Sequence, residues 1–374
     1  MKGIRILLAL CLVFGLFAVS PASAAVKPTE RYWIGDIGPD HRFYDSIERF
    51  INMDIIDGYV ETEVYEEDGE VYEDTYVTVR PDEKVTRAQF TKILVNALSL
   101  QEEATAKTFP DVKQGKWYYD YVRIASSQGI ITGHNDGKFH PDDNITRDQM
   151  AVMIYRAFKN TVPLQETMKT FKDVPASSFA YEAIAKLAAT GIVQGYGDTF
   201  KPHNLSTRGQ AITLIDRAMN QETGTSEDGQ AVTAVVDRNI QEELRLTQEA
   251  NTPALEALYH ETATGYHLSY SLESLGIEED MEELDGDLSI ESISDYSLHA
   301  VAVNKRLAEV RVDNLKYKVS LTSPDLSFSI TVDASGTAYL KKDADGKWKI
   351  YNLVLDEDLE DEWQEEISTA ANES

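Results

Sequence analysis

Three arginines stand at matching places in a phrase that the chain repeats. The phrase reads Thr86-Arg87-Ala88-Gln89, Thr146-Arg147-Asp148-Gln149 and Thr207-Arg208-Gly209-Gln210. Thr followed three residues later by Gln predicts a capping box at a helix start. Each Arg would then be the first helical residue, where free N–H groups and the helix dipole favour an anion. Because a guanidinium can bind a carboxylate through two hydrogen bonds, the phrase predicts a site for an acidic ligand.

The phrases are 60 and 61 residues apart, and a constant period indicates a repeat array. Other side chains recur in register with them. These are Asp36, Asp111 and Asp173 at the start of each unit, Arg42, Trp117 and Phe179 six residues later, and Gly133 and Gly195 after short apolar runs. A single phrase would indicate an ordinary capped helix, whereas three in register favour a repeated binding site.

The first 24 residues have the composition of a secretory signal peptide. Lys2 and Arg5 precede an apolar run, and Ala22-Ser23-Ala24 predicts cleavage near Ala24-Ala25. No later stretch is long and apolar enough to span a membrane. The single cysteine, Cys11, lies in this segment. The mature chain therefore lacks disulfides and cysteine metal sites, which is typical of an exported bacterial envelope protein.

The formal net charge is −29, and the second half of the chain carries most of it. Residues 1–220 contain 30 acidic and 24 basic side chains, whereas residues 221–374 contain 34 and 11. Nucleic acid is therefore excluded as a partner, because binding phosphates requires an excess of Lys and Arg. An acidic half also disfavours docking on an anionic membrane surface, and it indicates a solubilising surface rather than a specific cation site.

The second half has a different pattern. We interpret residues 221–230 as a polar linker, residues 231–356 as an α+β domain, and residues 357–374 as an acidic tail. Two amphipathic helices are predicted, the second starting at Thr252-Pro253, and an acidic loop over 278–287 follows. Strands are predicted over 288–303, 307–321, 327–341 and 347–355, forming one curved antiparallel sheet.

Catalytic chemistry has little support in the sequence. His260 and His267 lie near Glu261, and their spacing would place both imidazoles on one helix face. Such a group could supply a base with its orienting carboxylate, or two metal ligands. Polar or half-buried helix positions explain these residues more simply. We therefore predict no catalytic residue, no metal site and no cofactor.

Residues 109–158 and 171–219 resemble the S-layer homology domain closely, and residues 34–98 resemble it loosely. The shared pattern is Phe-x-Asp-Val, then Trp or Phe, Gly-Ile-Ile-x-Gly, Phe-x-Pro and Thr-Arg-x-Gln. On this basis residues 31–99, 107–160 and 169–220 are repeats 1, 2 and 3. Repeat 1 carries an insertion within 60–79 whose alternation predicts a β-hairpin.

The resemblance implies a mainly α, pseudo-threefold arrangement in which the second helices form a central bundle. Grooves between its lobes would hold a pyruvate-ketal-bearing sugar of the secondary cell-wall polysaccharide. The implied sugar-contacting residues are the three Arg, the three Asp, Trp117, Phe179, Gly133, Gly195, Gln149 and Gln210. Here Gln replaces the family's usual Glu, and repeat 1 has Arg42 for Trp and Asp54 for Gly, so the three sites should be unequal.

The C-terminal region resembles nuclear-transport-factor-like, cystatin-like domains at its last hairpin. This hairpin consists of the predicted strand before residue 346 and the ending Gly346-Lys347-Trp348-Lys349-Ile350-Tyr351. Together with the signal peptide, the resemblance of the repeats to the S-layer homology domain implies a non-enzymatic exported protein that binds acidic, pyruvylated cell-wall polysaccharide and anchors itself at the bacterial surface. Two alternatives stay open. The repeats could carry a small-molecule-binding or enzymatic C-terminal domain, or the chain could build a surface lattice.

Overall fold

A computed structural model describes residues 26–67, 70–103, 105–281, 287–322 and 327–356. The predicted signal peptide over 1–24 and the predicted acidic tail over 357–374 lie outside these ranges. Within them, none of the helices has the length and apolar character needed to cross a membrane.

Each repeat contributes one helix of nine residues and a second that begins at the Arg of the phrase. In chain order they are α1 (Tyr44–Asn52), α2 (Arg87–Ala97), α3 (Tyr119–Ser127), α4 (Arg147–Phe158), α5 (Tyr181–Ala189) and α6 (Arg208–Met219). A capping box is present at the start of α2, α4 and α6, which confirms the prediction from Thr-x-x-Gln. The helix starts are therefore determined by local side chains.

The segments that enter these second helices bond to one another in a closed ring. Val85 N–H donates to Ser206 O at 3.2 Å, Ser206 N–H to Ile145 O at 2.9 Å, and Ile145 N–H to Val85 O at 3.0 Å. All three residues are fully buried. The backbone of each repeat thus contacts both others, and the three starts of α2, α4 and α6 are held side by side.

Repeat 1 contains the predicted hairpin, formed by β1 (Tyr59–Glu67) and β2 (Glu70–Thr78) in antiparallel pairing. It also ends its first helix differently. Asp54 has φ +55°, where Gly129 and Gly191 have +70° and +82° in the other repeats. An L-residue in this region costs about 1 kcal/mol relative to glycine, so repeat 1 keeps the same turn with a less suitable residue.

In the part of the chain that the structure describes, three helices follow the repeats: α7 (Ser226–Gln248), α8 (Thr252–Thr262) and α9 (Gly265–Met281). The start of α7 corrects the prediction of a linker over 221–230, because residues from 226 onwards are helical. Asp228 explains the difference, since it caps the helix through Thr225 and accepts hydrogen bonds from Lys342 and Trp348. The helix α9 likewise includes the beginning of the predicted acidic loop over 278–287.

Seven strands follow within the described residues up to 356. They are β3 (Asp287–Ser292), β4 (Ser297–Val303), β5 (Leu307–Asp313), β6 (Lys316–Thr322), β7 (Ser327–Asp333), β8 (Gly336–Lys342) and β9 (Trp348–Leu355). They form two antiparallel sheets, ordered β3-β6-β7 and β4-β5-β8-β9. The single curved sheet was therefore wrong, because each of its first three long strands breaks and passes between sheets. Asn314, with φ +57°, makes one of these breaks.

The C-terminal elements pack directly on the repeats. Leu307 and Tyr351 join the hydrophobic core of the repeats, and Tyr32 of repeat 1 hydrogen-bonds Ser269 at 3.0 Å. A side chain added at Gly265 would lie 1.9 Å from the carbonyl oxygen of Asn52. The described residues thus form a multidomain α+β structure whose two parts share core and backbone contacts.

Candidate functional site

The arginine of each repeat reaches into the next repeat. Nε–H of Arg87 donates to Phe139 O at 2.8 Å, that of Arg147 to Phe200 O at 2.9 Å, and that of Arg208 to Val79 O at 2.8 Å. Each guanidinium also lies over an aromatic ring, 4.8 Å from Phe139, 4.4 Å from Phe200 and 5.1 Å from Tyr59 respectively. Repeat 1 thus contacts repeat 2, repeat 2 contacts repeat 3, and repeat 3 contacts repeat 1.

These three cations are buried without a carboxylate partner. Arg87, Arg147 and Arg208 are only 6%, 7% and 8% exposed, and none forms an ion pair with another described residue. Burial lowers the pKa of Arg87 to about 10 and lowers that of Arg147. A desolvated charge without an ion pair is costly, so an anion that reached these groups would be attracted to them.

The N-terminal N–H groups of the helices are not available to a ligand. In repeat 1, Arg87 N–H donates to Asp143 O at 2.9 Å and Ala88 N–H to Pro141 O at 3.0 Å. The second helices of repeats 2 and 3 make the equivalent two bonds. The prediction that free backbone donors favour the anion was therefore wrong, because the loop of the neighbouring repeat occupies them. Any anion recognition at this position must come from side chains.

The predicted aspartates hold loops through both carboxylate oxygens. Asp111 accepts from Phe139 N–H at 3.0 Å and His140 N–H at 2.6 Å. Asp36 and Asp173 accept the equivalent pairs of bonds in repeats 1 and 3. Although burial opposes it, these bonds lower the pKa of Asp111 and Asp173. The aspartates therefore position the loops whose carbonyl groups accept from the arginines. The resemblance implied that they contact the sugar, whereas their carboxylate oxygens are used to hold these loops.

Packing explains the two glycines. A side chain at Gly133 would lie 2.5 Å from Phe109, and one at Gly195 would lie 2.1 Å from Phe171.

The predicted glutamines hydrogen-bond to groups near them. Oε1 of Gln149 accepts from Thr146 N–H and from Arg87 at 3.1 Å, while Gln210 caps α6. Gln149 thus joins the cap of one helix to the arginine of the preceding repeat.

Side chains from all three repeats meet around a cavity of about 240 Å³. Tyr59, Gln89 and Lys92 come from repeat 1, Trp117 from repeat 2 and Arg208 from repeat 3. Trp117 is 54% exposed, and Phe179, its counterpart in repeat 3, is 69% exposed. The lining combines two cations and two aromatic rings with the carboxylate of Asp57, which lies 3.6 Å from Lys92 Nζ. The cavity lies beside repeat 1, whose sequence departs most from the shared pattern.

Sequence reasoning missed the residue that follows each repeat's glycine. Tyr59, His134 and Tyr196 occupy matching positions, and the rings of Tyr59 and Tyr196 lie 5.1 and 5.2 Å from the guanidinium groups of Arg208 and Arg147. An aromatic or imidazole ring at one place in all three units was a visible signal. Lys92 had no such signal, because Val152 and Thr213 stand at the matching positions.

The histidines of the C-terminal region do not form a shared site. His260 lies on α8 and His267 on α9, so the prediction that they share one helix face was wrong. Glu261 pairs with Arg238, while Nε2 of His260 lies 3.9 Å from Glu256. Burial lowers the pKa of His267 to about 4. Among the described residues, no cluster of three or more His, Cys, Asp or Glu side chains could hold a metal ion.

Comparison with protein families identifies two of the repeats. Residues 108–151 and 170–212 match the S-layer homology domain. The chain is 30% identical over 220 residues to an endoglucanase of Bacillus sp. (strain KSM-635), covering 57% of this chain and 22% of that protein. It is 28% identical over 247 residues to the S-layer protein sap of Bacillus anthracis, covering 62% and 28%.

A third relative is the cellulosome-anchoring protein of Acetivibrio thermocellus, 29% identical over 150 residues. This match covers 38% of the chain and 33% of the relative. The chain thus spans no more than a third of the length of these three proteins. The similarity therefore concerns a part of each relative.

Proposed function

We propose that the three repeats, of which residues 108–151 and 170–212 match the S-layer homology domain, anchor an exported protein non-covalently to the bacterial cell wall. The three repeats act as one pseudo-threefold unit, which the ring of backbone hydrogen bonds supports. Relatives named as an S-layer protein and a cellulosome-anchoring protein support a surface location. The signal peptide predicted over 1–24 would direct export.

The ligand that we propose is an acidic, pyruvylated polysaccharide of the cell wall. The observation that carries this proposal is the set of three buried arginines without ion pairs, each beside an aromatic ring. A sugar carboxylate would supply the missing negative charge. Trp117 and Phe179 would contact the faces of neighbouring sugar rings, since both side chains are exposed.

Binding to purified cell walls tests this function. Walls are prepared with and without mild acid treatment, which removes ketal-linked pyruvate, and the full chain is assayed by co-sedimentation. We expect acid treatment to abolish binding, and Arg147→Lys to weaken it, because Lys keeps the charge but not the forked donor geometry. Arg123→Lys is the matched control, because Arg123 is an arginine of the same repeat that pairs with Glu102 on the surface.

Binding that survives both acid treatment and Arg147→Lys would contradict carboxylate recognition.

We propose that the repeats hold the C-terminal region at the wall and that this region is not an enzyme. The alternative of a small-molecule carrier or enzyme would gain support from a ligand that protects His267 and its surroundings in hydrogen exchange. The alternative of a surface lattice predicts concentration-dependent assembly of the purified chain in sedimentation experiments.

A further inference from the structure

One loop position carries a pair of side chains in each repeat, and the pair in repeat 2 differs in chemistry. In repeat 1, Arg80 lies over the ring of Tyr59 at 4.3 Å, and in repeat 3, Lys201 lies over the ring of Tyr196 at 4.3 Å. In repeat 2 the pair is His134 and His140, whose ring centroids are 5.0 Å apart. Repeats 1 and 3 thus place a permanent cation where repeat 2 places an imidazole.

The backbone makes the three pairs equivalent. Arg80, His140 and Lys201 have φ of +54°, +58° and +58°, and each donates its N–H to the aspartate that opens its repeat. Each pair also adjoins the arginine that enters from the preceding repeat. The difference between the repeats therefore lies in the side chains and not in the position of the loop.

We propose that repeat 2 holds a pH-dependent anion site, in which protonation of the His134–His140 pair supplies the positive charge that Arg80 and Lys201 supply permanently. This inference rests on the proposed function, because the anion is the carboxylate of the same wall polysaccharide. Histidine is the side chain whose ordinary pKa places its charge change between pH 5 and 8. Acidification would thus strengthen binding by repeat 2 and leave the pairs of repeats 1 and 3 unchanged.

The surroundings of the pair determine how large the effect can be. Nε2 of His140 is 2.8 Å from Asp136, its Nδ1 is 3.6 Å from Asp143, and Asp111 holds its backbone. These carboxylates lie close enough to offset part of the positive charge of a protonated His140. Lys138 is near Asp136, and Arg87 is the cation on the other side.

The surroundings of His134 oppose its protonation. Burial first, and then the positive charges of Arg87 and His140, lower its pKa. Its Nε2 atom is buried and makes no hydrogen bond within the described structure. A bound carboxylate would reverse this, because an adjacent anion raises the pKa of an imidazole. Ligand binding near pH 6 should therefore be coupled to proton uptake.

The test uses the full chain and, as probe, a methyl glycoside carrying a pyruvate ketal. Calorimetry at pH 7.5 and 5.5 keeps the probe ionised, and pairs of buffers with different ionisation enthalpies report proton uptake. We expect affinity to rise about threefold on acidification, the size of one partly exposed charge contact. The double variant His134→Tyr/His140→Lys, which copies repeat 3, should lose both this rise and the proton uptake.

The reciprocal variant Tyr196→His/Lys201→His should increase the pH dependence by a similar factor. His260→Gln, a change in the C-terminal region, is the control and should keep the wild-type profile. The ring signals of His134 and His140 in NMR spectra should shift on addition of probe. This measurement tests whether the probe binds at the histidine pair even if the double variant does not fold. Wild-type and double-variant profiles that coincide would overturn this inference alone, whereas no binding at any pH would overturn the anchoring function.

Discussion

Repeat 1 differs most in sequence from repeats 2 and 3, yet the same contacts hold it in place. Asp36 accepts two loop N–H groups as Asp111 and Asp173 do, and Val79 O receives Arg208 as Phe139 O receives Arg87. By contrast, Arg42 replaces an exposed aromatic residue and Asp54 replaces a glycine. The comparison indicates that backbone hydrogen bonds define the unit and that outward-facing side chains can change without loss of the fold.

Repeat 1 also receives the most support from outside the array. Tyr32 hydrogen-bonds Ser269 of α9 at 3.0 Å, Lys341 of β8 donates to Met53 O, and Gly265 of α9 lies against Asn52. The C-terminal region therefore braces the repeat whose own sequence is weakest.

The largest effect is expected for Gly265→Ala. The added carbon would lie 1.9 Å from Asn52 O at a residue with φ +59°, and overpacking plus backbone strain should cost about 4 kcal/mol of unfolding free energy. Urea unfolding measures the loss, and hydrogen exchange should show it mainly in repeat 1. Gly191→Ala is the control, because its φ is also positive but no atom lies within 4 Å. Equal losses would mean that the C-terminal region does not brace repeat 1.

Removal of a loop-holding carboxylate should have the next largest effect. Asp173→Ala deletes two hydrogen bonds to backbone N–H groups in repeat 3 and should cost about 3 kcal/mol. Asp36→Ala should cost a similar amount if repeat 1 depends on the same contacts. Thermal unfolding of both variants gives the comparison. A loss below about 0.5 kcal/mol for Asp36→Ala would show that the hairpin and brace have replaced this contact.

A smaller, pH-dependent effect is expected where repeat 3 joins the C-terminal region. Burial opposes ionisation of Asp228, but hydrogen bonds from Lys342, Thr225 and Trp348 outweigh it and lower its pKa to about 2. Because the folded-state pKa lies below the unfolded value of about 3.9, this stabilisation is complete above pH 4 and disappears as pH falls toward 2.

Asp228→Asn should therefore lower the unfolding free energy by about 2 kcal/mol at pH 7. The difference from the wild type should vanish near pH 2. Denaturant titrations between pH 2 and 7 provide the measurement. If the difference in unfolding free energy between the wild type and Asp228→Asn does not change with pH, the contribution of Asp228 comes from hydrogen-bond geometry and not from its charge.

The smallest effect on stability is expected at the exposed groove residues. Trp117→Ala and Phe179→Ala should change the unfolding free energy by less than about 0.5 kcal/mol, because both side chains are exposed. They should still weaken wall binding, by about fivefold, through lost ring contacts. Arg42→Ala should have less effect on binding, since Arg42 pairs with Asp82 on the surface. Equal losses of binding in all three variants would remove the distinction between repeat 1 and the others.

Much of the repeat architecture could be predicted from the sequence, because its signals are local. A capping box depends on two side chains three residues apart, and the hairpin depends on alternation within one segment. The C-terminal strands were predicted as longer elements than they are. Their breaks depend on how two sheets meet, and that is decided by contacts between distant segments.

The role of the aspartates could not be predicted in this way. Asp111 bonds a loop 28 and 29 residues later, and a pattern of acidic residues does not distinguish such a contact from a groove wall. The prediction that the backbone N–H groups at the helix starts are free was wrong for a similar reason. Their N–H groups are free in an isolated helix, but here a carbonyl from another repeat occupies them.

The sequence by itself determined the number of repeats, the capped helix starts and the places of the three arginines, because each follows from residues near one another in the chain. Only the tertiary structure decided where the arginines point, which backbone groups are used up, and which rings and cations meet. Those facts depend on closure of the array, in which repeat 3 reaches back to repeat 1 across 129 residues from Arg208 to Val79. A local pattern contains no information about such a contact, since many chain paths satisfy the same local preferences.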